Sequence, residues 1–209
     1  MSASTASREV ELQLDDPELI PRPSTVQREE GFFTLCADSI ILADAASRVT
    51  AEQLAAYLRP ATGYDLSLTA CEDNAAIALI QDDTMSDLGL EGYAVNITAN
   101  RVTLSAPTQT GLFYAVQTLR QLLPTVIFSS TLIEDQVWMA PCVAIRDCPR
   151  FAWRGLMLDT GHDFQHLSFI LHFIDLMALH KFNTLHWHIT DLGTWPLEIE
   201  GYPKLIDAA

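Results

Sequence analysis

Two histidines and an aspartate close one extended segment near the end of the chain, and their types could support chemistry. His186 and His188 flank Trp187, so in a strand their side chains leave the same face about 7 Å apart. Imidazoles at that spacing can begin a zinc or iron site if other strands supply further ligands. Asp191 follows, and a carboxylate beside a histidine can fix its tautomer and help to set the charge of a neighbouring acid. The residues alone also allow hydrogen-bonded lining histidines and a turn or cap at Asp191.

A second carboxylate, Asp159, ends an earlier apolar run, RGLMLD, which begins at Arg154. The segment that follows has a helical apolar stripe, formed by Leu167, Ile170, Leu171, Ile174, Met177 and Ala178. TLHWHITD, residues 184–191, is extended again. The pattern predicts a βαβ unit with parallel strands and with both carboxylates at the strands' C-terminal ends, the edge that carries the chemistry in parallel α/β folds. Arg154 needs a carboxylate partner if it is buried, in a structural or a functional ion pair.

These segments carry a family resemblance. RGLMLD, IDLMALHKFNTLHWHITD, WPLE and YPKL resemble the opening of the catalytic barrel of glycoside hydrolase family 20, the β-N-acetylhexosaminidases. IPRPSTV, GYAVNI, GLFYAVQTLRQLLP and IRDCPRFAWRG resemble that family's amino-terminal domain and junction, so the likeness runs from about Leu19 to Leu205. It implies an α+β amino-terminal domain, with a sheet and packed helices, followed by the first βαβ unit of a truncated (β/α)8 TIM barrel. It also implies no metal and no other cofactor.

The resemblance assigns roles to single residues. Asp191 matches the aspartate of the family's HWHxxD motif, which supports the catalytic carboxylates. Arg154 is expected to be architectural, and Asp159 is expected to line the floor of the sugar pocket. Trp195 is kept where the family's DDQGWR is changed to DLGTWP. Its indole could stack on a sugar face or pack in the core.

The chain departs from the family pattern just after the first barrel strand. The family usually continues LDxxRHF or LDxxRHY, and that arginine grips hydroxyls of the terminal sugar. Here LDTGHDF places His162 at the arginine position and Asp163 at the histidine position. Because a neutral imidazole has fewer donors than a guanidinium, sugar recognition through His162 is expected to differ. His186 and His188 are interpreted as structural lining residues, without a metal.

The family's main catalytic pair has no match in this sequence. That pair is an adjacent Asp-Glu, in which Glu is the general acid and base while Asp orients the substrate's own 2-acetamido oxygen for attack on the anomeric carbon. No Asp-Glu dipeptide occurs here; Glu134-Asp135 has the reverse order. A closed barrel needs about 250 residues, whereas residues 154–209 remain after the junction. We therefore expect a fragment of a retaining β-N-acetylhexosaminidase that is inactive by itself.

Two other functions stay open. One is a metal-dependent barrel hydrolase that uses His186 and His188. The other is a non-catalytic domain that binds a glycan or a partner through its sheet.

The composition of the chain limits the classes of partner that it can bind. The chain has 209 residues, a formal net charge of −15 and only 12 Lys and Arg residues, which argues against nucleic acid and anionic membranes. An N-acetylhexosamine-containing glycoside is the expected ligand, and nothing indicates an oligomeric state. The first residues lack a basic region followed by an apolar one, so we expect a cytoplasmic protein. The four cysteines form no CxxC pair and are predicted to be buried thiols.

The remaining patterns divide the chain into three parts: a mobile amino terminus over residues 1–9, an α+β domain over 10–149 and the barrel start over 150–209. Val10, Leu12 and Leu14 alternate as in a short strand. Further predicted elements are one or two strands within 32–44, a helix capped by Thr50 and ended by Pro60 and Gly63, a strand over 75–81, a hairpin over 91–107, a helix over 110–123 and a strand from 140.

Overall fold

The computed structural model describes residues 17–71, 75–191, 195 and 197–204. The prediction of a mobile segment over 1–9 and the predicted strand at Val10–Leu14 lie outside the described residues. Where the chain is described, no helix is both long enough and apolar enough to cross a membrane.

A seven-stranded mixed sheet occupies the first part of the chain. Its strands are β1 (Thr25–Leu35), β2 (Ile41–Ala43), β3 (Leu68–Thr69), β4 (Ile77–Gln81), β5 (Tyr93–Ile97), β6 (Val102–Ala106) and β7 (Trp138–Asp147). They lie in the order β1-β7-β5-β6-β4-β2-β3. Strand β5 pairs antiparallel with both β6 and β7, so the predicted hairpin is confirmed at the centre of the sheet.

Two helices, α1 (Arg48–Thr62) and α2 (Gln109–Leu122), pack against this sheet. Helix α2 begins one residue before its prediction, because the Thr108 side chain caps it by accepting a hydrogen bond from the Gly111 N–H at 3.1 Å. The apolar residues that repeat at helical spacing along α2 are buried against the strands. The sheet and its helices thus form the α+β layer that the sequence predicts.

The start of α1 differs from its prediction. Ser47, not Thr50, precedes the helix, and Thr50 is buried inside its first turn. Asp44 and Ser47 exchange two hydrogen bonds, from the Ser47 N–H to Asp44 Oδ1 at 2.9 Å and from the Asp44 N–H to Ser47 Oγ at 3.1 Å, which fixes the turn that launches the helix. Pro60 lies within the last turn, and Gly63 ends the helix in the left-handed conformation.

The predicted βαβ unit follows and is confirmed. Strand β8 (Gly155–Asp159) and strand β9 (Thr184–His188) pair in parallel, with α3 (Leu167–Leu179) as the crossover. Asp159 lies opposite His188 in the register, so the C-terminal ends of both strands meet at one edge. Ile170 and Met177 of the α3 stripe are buried, whereas Leu167, Leu171 and Ile174 are exposed.

The cysteines correct one prediction. Cys142 is buried in β7, but Cys36, Cys71 and Cys148 are exposed. None of these four described cysteines forms a disulfide. Spacing along the sequence carries no information on burial at loop positions, which is why three of the four were wrong.

The division near Pro149 stays a prediction that proteolysis can check. The main buried cluster consists of residues between Leu19 and Ile145, while 150–153 in the connector are exposed. We therefore expect trypsin to cut early after Arg150 and to leave a resistant fragment of the α+β layer, because backbone in a packed layer must unfold before it is cleaved. Mass spectrometry of the time course gives the cut sites. Early cleavage after Arg120, inside α2, would contradict an independently folded layer.

Candidate functional site

Three predicted site residues meet at the C-terminal edge of β8 and β9. Asp159 Oδ1 accepts hydrogen bonds from the N–H groups of Gly161 at 2.9 Å and His162 at 3.3 Å. Such a turn is typical of aspartate, and it folds the loop back over the strand end. His162 Nε2 then lies 2.8 Å from Asp191 Oδ2. We call Asp159, His162 and Asp191 the edge cluster.

A glycine allows the two loops of the edge cluster to approach each other. A Cβ atom at Gly161 would lie 3.1 Å from Asp191 Cβ and 3.3 Å from the Asp191 nitrogen. A Cβ atom here would therefore require Asp191 to move by a few tenths of an ångström. Glycine at this position fits the close approach of the two loops.

The edge cluster is open to solvent. The His162 side chain is 74% exposed and that of Asp191 is 32% exposed, so their pairing contributes little to stability. One ligating atom from each of Asp159, His162 and Asp191 lies within 4.8 Å of the others, a separation that could hold a cation. Exposed acidic groups commonly have this spacing without an ion. The cluster can orient hydroxyl groups through two carboxylates and an imidazole.

The two histidines of β9 lie beside each other but outside the edge cluster. The rings of His186 and His188 have centroids 6.2 Å apart and are nearly perpendicular, so they share a face as the spacing predicts. His186 is exposed and His188 is half-buried. The group of potential metal ligands found among the described residues includes neither of them. Trp195 is exposed in this chain, and its neighbours 192–194 and 196 lie outside the described residues.

Arg154 joins the strand pair to the α+β layer. Its Nη1 forms an ion pair with Glu91 Oε2 at 2.9 Å and its Nη2 donates to the Tyr114 hydroxyl at 3.0 Å. Its Nε donates to the Lys181 carbonyl at 2.8 Å. Asn183 Nδ2 donates to the other oxygen of Glu91 at 3.1 Å. We call Arg154, Glu91, Tyr114 and Asn183 the junction cluster.

The junction cluster is largely buried and electrostatically favourable. The Arg154 and Glu91 side chains are 16% and 24% exposed. The hydrogen bond from Arg154 is the main cause that lowers the pKa of Glu91 below its usual value of 4.5, against the opposing effect of burial. Arg154 therefore favours the ionised form of Glu91. Sequence analysis predicted a carboxylate partner for Arg154 without finding Glu91.

Two glycines bring the parts of the junction cluster together. A Cβ atom at Gly111 would lie 2.2 Å from the Gly92 carbonyl oxygen, so α2 can touch the start of β5 only because this residue is glycine. That contact places Tyr114, one turn along α2, next to Glu91, whose Oε1 accepts from the Tyr114 hydroxyl at 3.3 Å. Gly92 belongs to the sequence motif GY, and Gly111 and Tyr114 belong to the motif GLFY, but the spacing of the two motifs does not reveal that they are in contact.

Comparisons with known proteins place this architecture in a family. The model described as "Glycosyl hydrolase family 20, domain 2" matches residues 16–148, more than half of the chain. The model described as "Glycosyl hydrolase family 20, catalytic domain" matches residues 151–209. The fold is thus that of a glycoside hydrolase: an α+β domain followed by the first βαβ unit of a TIM barrel. The chain belongs to glycosyl hydrolase family 20.

Individual relatives agree with this placement. A β-hexosaminidase of Porphyromonas gingivalis is 32% identical over 99% of this chain, and one of Vibrio furnissii is 30% identical over 90%. The chain spans 27% and 29% of the lengths of these relatives. The structure of the family 20 β-N-acetylhexosaminidase from Streptomyces coelicolor A3(2) matches with a TM-score of 0.83 and 35% identity, over 90% of this chain and 38% of that one. The Streptomyces plicatus enzyme, solved with Thio-NAglucal, matches with a TM-score of 0.84 and 34% identity.

Proposed function

We propose that the protein containing this chain hydrolyses glycosides at terminal N-acetylhexosamine residues, with retention of configuration. The observation that carries this proposal is the meeting of Asp159 and Asp191 at the C-terminal edge of the first two strands of a family 20 barrel. The names of the relatives support the same substrate class: one Streptomyces plicatus structure holds the product GlcNAc.

The proposed reaction uses the substrate's acetamido group as its nucleophile. Attack of the acetamido oxygen on the anomeric carbon displaces the aglycone, a general acid protonates the leaving oxygen, and water then opens the intermediate with retention. In this proposal the acid and the residue that orients the acetamido group are the family's Asp-Glu pair. That dipeptide does not occur in these 209 residues, so we expect the chain alone to be inactive.

The described residues would supply one wall of the sugar site. Asp191 would support the charge distribution around the catalytic carboxylates, and Asp159 would hold the loop that carries His162. His162 would face the sugar hydroxyls with a single imidazole where the family has an arginine, which predicts weaker or altered recognition at that end of the sugar. Trp195 would contribute an aromatic face.

A chimera makes the proposal testable. In the chimera, which we call the Streptomyces chimera, the 209-residue chain replaces the matching 38% of the Streptomyces coelicolor enzyme. If the acetamido oxygen is the nucleophile, kcat for aryl glycosides should fall steeply as the N-acetyl group is replaced by its mono-, di- and trifluoro analogues, since each fluorine withdraws electrons from that oxygen. The series is completed by the parent aryl N-acetylglucosaminide and by the plain aryl glucoside, which has no acetamido group. A flat dependence on fluorination, or equal cleavage of the plain glucoside, would reject the proposed reaction.

The spacing in the edge cluster favours testing one alternative, a metal-dependent hydrolase. We expect the Streptomyces chimera to keep its activity after dialysis against EDTA, because the proposed reaction asks no metal to polarise the substrate. Metal analysis by mass spectrometry accompanies the assay. Stoichiometric zinc that is lost together with activity in His186→Ala or His188→Ala would support a hydrolase that uses these two histidines. The same loss in Asp159→Ala would support a metal site at the edge cluster.

The absence of nucleic acid partners and the cytoplasmic location stay predictions.

A further inference from the structure

A cavity of about 360 Å³ lies at the junction of the two parts of the chain, at the opposite end of β8 and β9 from the edge cluster. Its volume is at the small end of the range for ligand pockets. The sheet contributes Tyr93 and Asp147, α2 contributes Tyr114, and the barrel start contributes Arg154 and Lys181. Aromatic and proline side chains form much of its wall. None of these residues takes part in the proposed hydrolysis.

Lys181 is a buried amine with unused donors in this cavity. Its side chain is 5% exposed, and its Nζ donates to the Tyr93 hydroxyl at 2.7 Å. Asp147 Oδ2 lies 3.9 Å away, beyond hydrogen-bond distance. Within the described part of the chain no other hydrogen bond of this ammonium group is found. Burial lowers the pKa of Lys181 to about 8 despite the attraction of Asp147, so its charge is incompletely compensated.

Asp147 is occupied on its other sides. Its Oδ1 accepts from the N–H and the hydroxyl of Ser24 at 3.0 and 3.1 Å, and its Oδ2 accepts from the Tyr93 hydroxyl at 2.9 Å. The Tyr93 hydroxyl also accepts from Thr118 at 2.8 Å. The polar groups beside Lys181 are therefore engaged with one another. A ligand would meet the free N–H groups of Lys181 from the cavity side.

The charge of the cavity is opposite to that of the protein. Arg22, Arg150, Arg154 and Lys181 line it together with Asp147. Since Glu91 pairs with Arg154, the formal balance is +1 for Arg150, Arg154, Lys181, Asp147 and Glu91, without counting Arg22, in a chain whose net charge is −15. Four of the 12 Lys and Arg residues of the sequence thus surround one small cavity. Cations gathered around apolar walls fit an anion with an apolar body.

We propose that this junction cavity is a binding site for a small organic carboxylate, whose charge is met by Lys181 on the floor and Arg150 on the rim while its apolar body lies against the Tyr93, Tyr114 and Phe151 rings. The ligand would contact the sheet and the barrel start at once. Its binding would therefore stabilise their junction, because any ligand that binds only the folded arrangement shifts the unfolding equilibrium. This site does not depend on the proposed hydrolase function.

The two lysines of the sequence provide an internal comparison for the test. Lys181 lines the cavity, and Lys204 is exposed far along the chain. The 209-residue chain is acetylated with traces of acetic anhydride in the presence of benzoate, and each lysine is followed by mass spectrometry. Benzoate at ten times its Kd should slow acetylation of Lys181 about tenfold and leave Lys204 unchanged, as occupancy requires. Benzamide, its neutral analogue, should protect neither lysine.

Matched arginine variants test the role of charge. Arg150→Gln should raise the Kd of benzoate about twofold to fivefold, the range of an exposed ion pair. Arg48→Gln removes the same charge at an exposed site on α1 outside the cavity and should leave Kd unchanged. Both variants keep Lys181, so neither removes the compensation of the buried Asp147. Unchanged labelling of Lys181 in benzoate, equal protection by benzamide, or an equal effect of the two variants would overturn the proposal.

Discussion

Replacing Asp191 by asparagine in the Streptomyces chimera should lower kcat by roughly tenfold to a thousandfold, the span between loss of one supporting hydrogen bond and loss of most of an electrostatic stabiliser. Asparagine keeps the size of the side chain and an oxygen that can still accept from His162, so the fold of the edge should persist. What is lost is the negative charge next to the reacting sugar. Steady-state hydrolysis of an aryl N-acetylglucosaminide gives kcat and KM separately.

A matched control separates charge at the edge cluster from charge in general. Asp83→Asn makes the same change at an exposed position in the loop after β4, outside the edge cluster, and should leave kcat unchanged. A full rate in Asp191→Asn would show that this carboxylate does not support catalysis. An equal loss in both variants would point to the net charge of the protein instead.

Replacing Arg154 by methionine should lower the free energy of unfolding of the 209-residue chain by about 2 to 4 kcal/mol, since it leaves the Glu91 carboxylate and the Tyr114 hydroxyl largely buried without their donor. This loss of stability is expected to be no larger than the usual cost of breaking a buried ion pair, because the Arg154 and Glu91 side chains keep some access to water. Arg150→Met, which removes an exposed guanidinium from the face of Phe151, should cost less than about 1 kcal/mol. Urea unfolding followed by tryptophan fluorescence measures both.

The pH dependence of that difference identifies its cause. The pKa of Glu91 is lowered in the folded chain from 4.5, so the stabilisation from its ion pair is present above pH 4.5 and is lost as the pH falls through the folded value. The stability gap between the wild-type chain and Arg154→Met should therefore shrink below pH 4.5. A gap that stays constant down to low pH would assign the effect of Arg154 to packing rather than to Glu91.

Sequence patterns anticipated the elements whose side chains repeat locally. The β5–β6 hairpin, α2 and the βαβ unit each have a period that the sequence displays directly, and all three lie at or close to their predicted positions. The start of α1 was wrong because its turn is set by the exchange of hydrogen bonds between Asp44 and Ser47, two polar residues that precede any apolar period.

Contacts between distant parts of the chain were beyond what the sequence could show. The parallel strands bring Asp159 and Asp191 to one edge, as expected, but the pairing of His162 with Asp191 depends on the loop geometry at Gly161. Glu91 is 63 positions from Arg154, and no periodicity connects them. The burial of Lys181 could not be predicted from the sequence either, because its partners Tyr93 and Asp147 belong to the distant strands β5 and β7.

We propose that this chain forms one wall of an N-acetylhexosaminidase site and that the general acid of this site lies outside these residues. The most direct measurement is the release of aryl alcohol from an aryl N-acetyl-β-glucosaminide by the Streptomyces chimera and, in parallel, by the purified 209-residue chain. Circular dichroism and a thermal melt confirm that each protein is folded before the assay. We expect turnover by the chimera and no release above the buffer blank by the chain. A folded chimera without activity, or release by the chain alone, would contradict it.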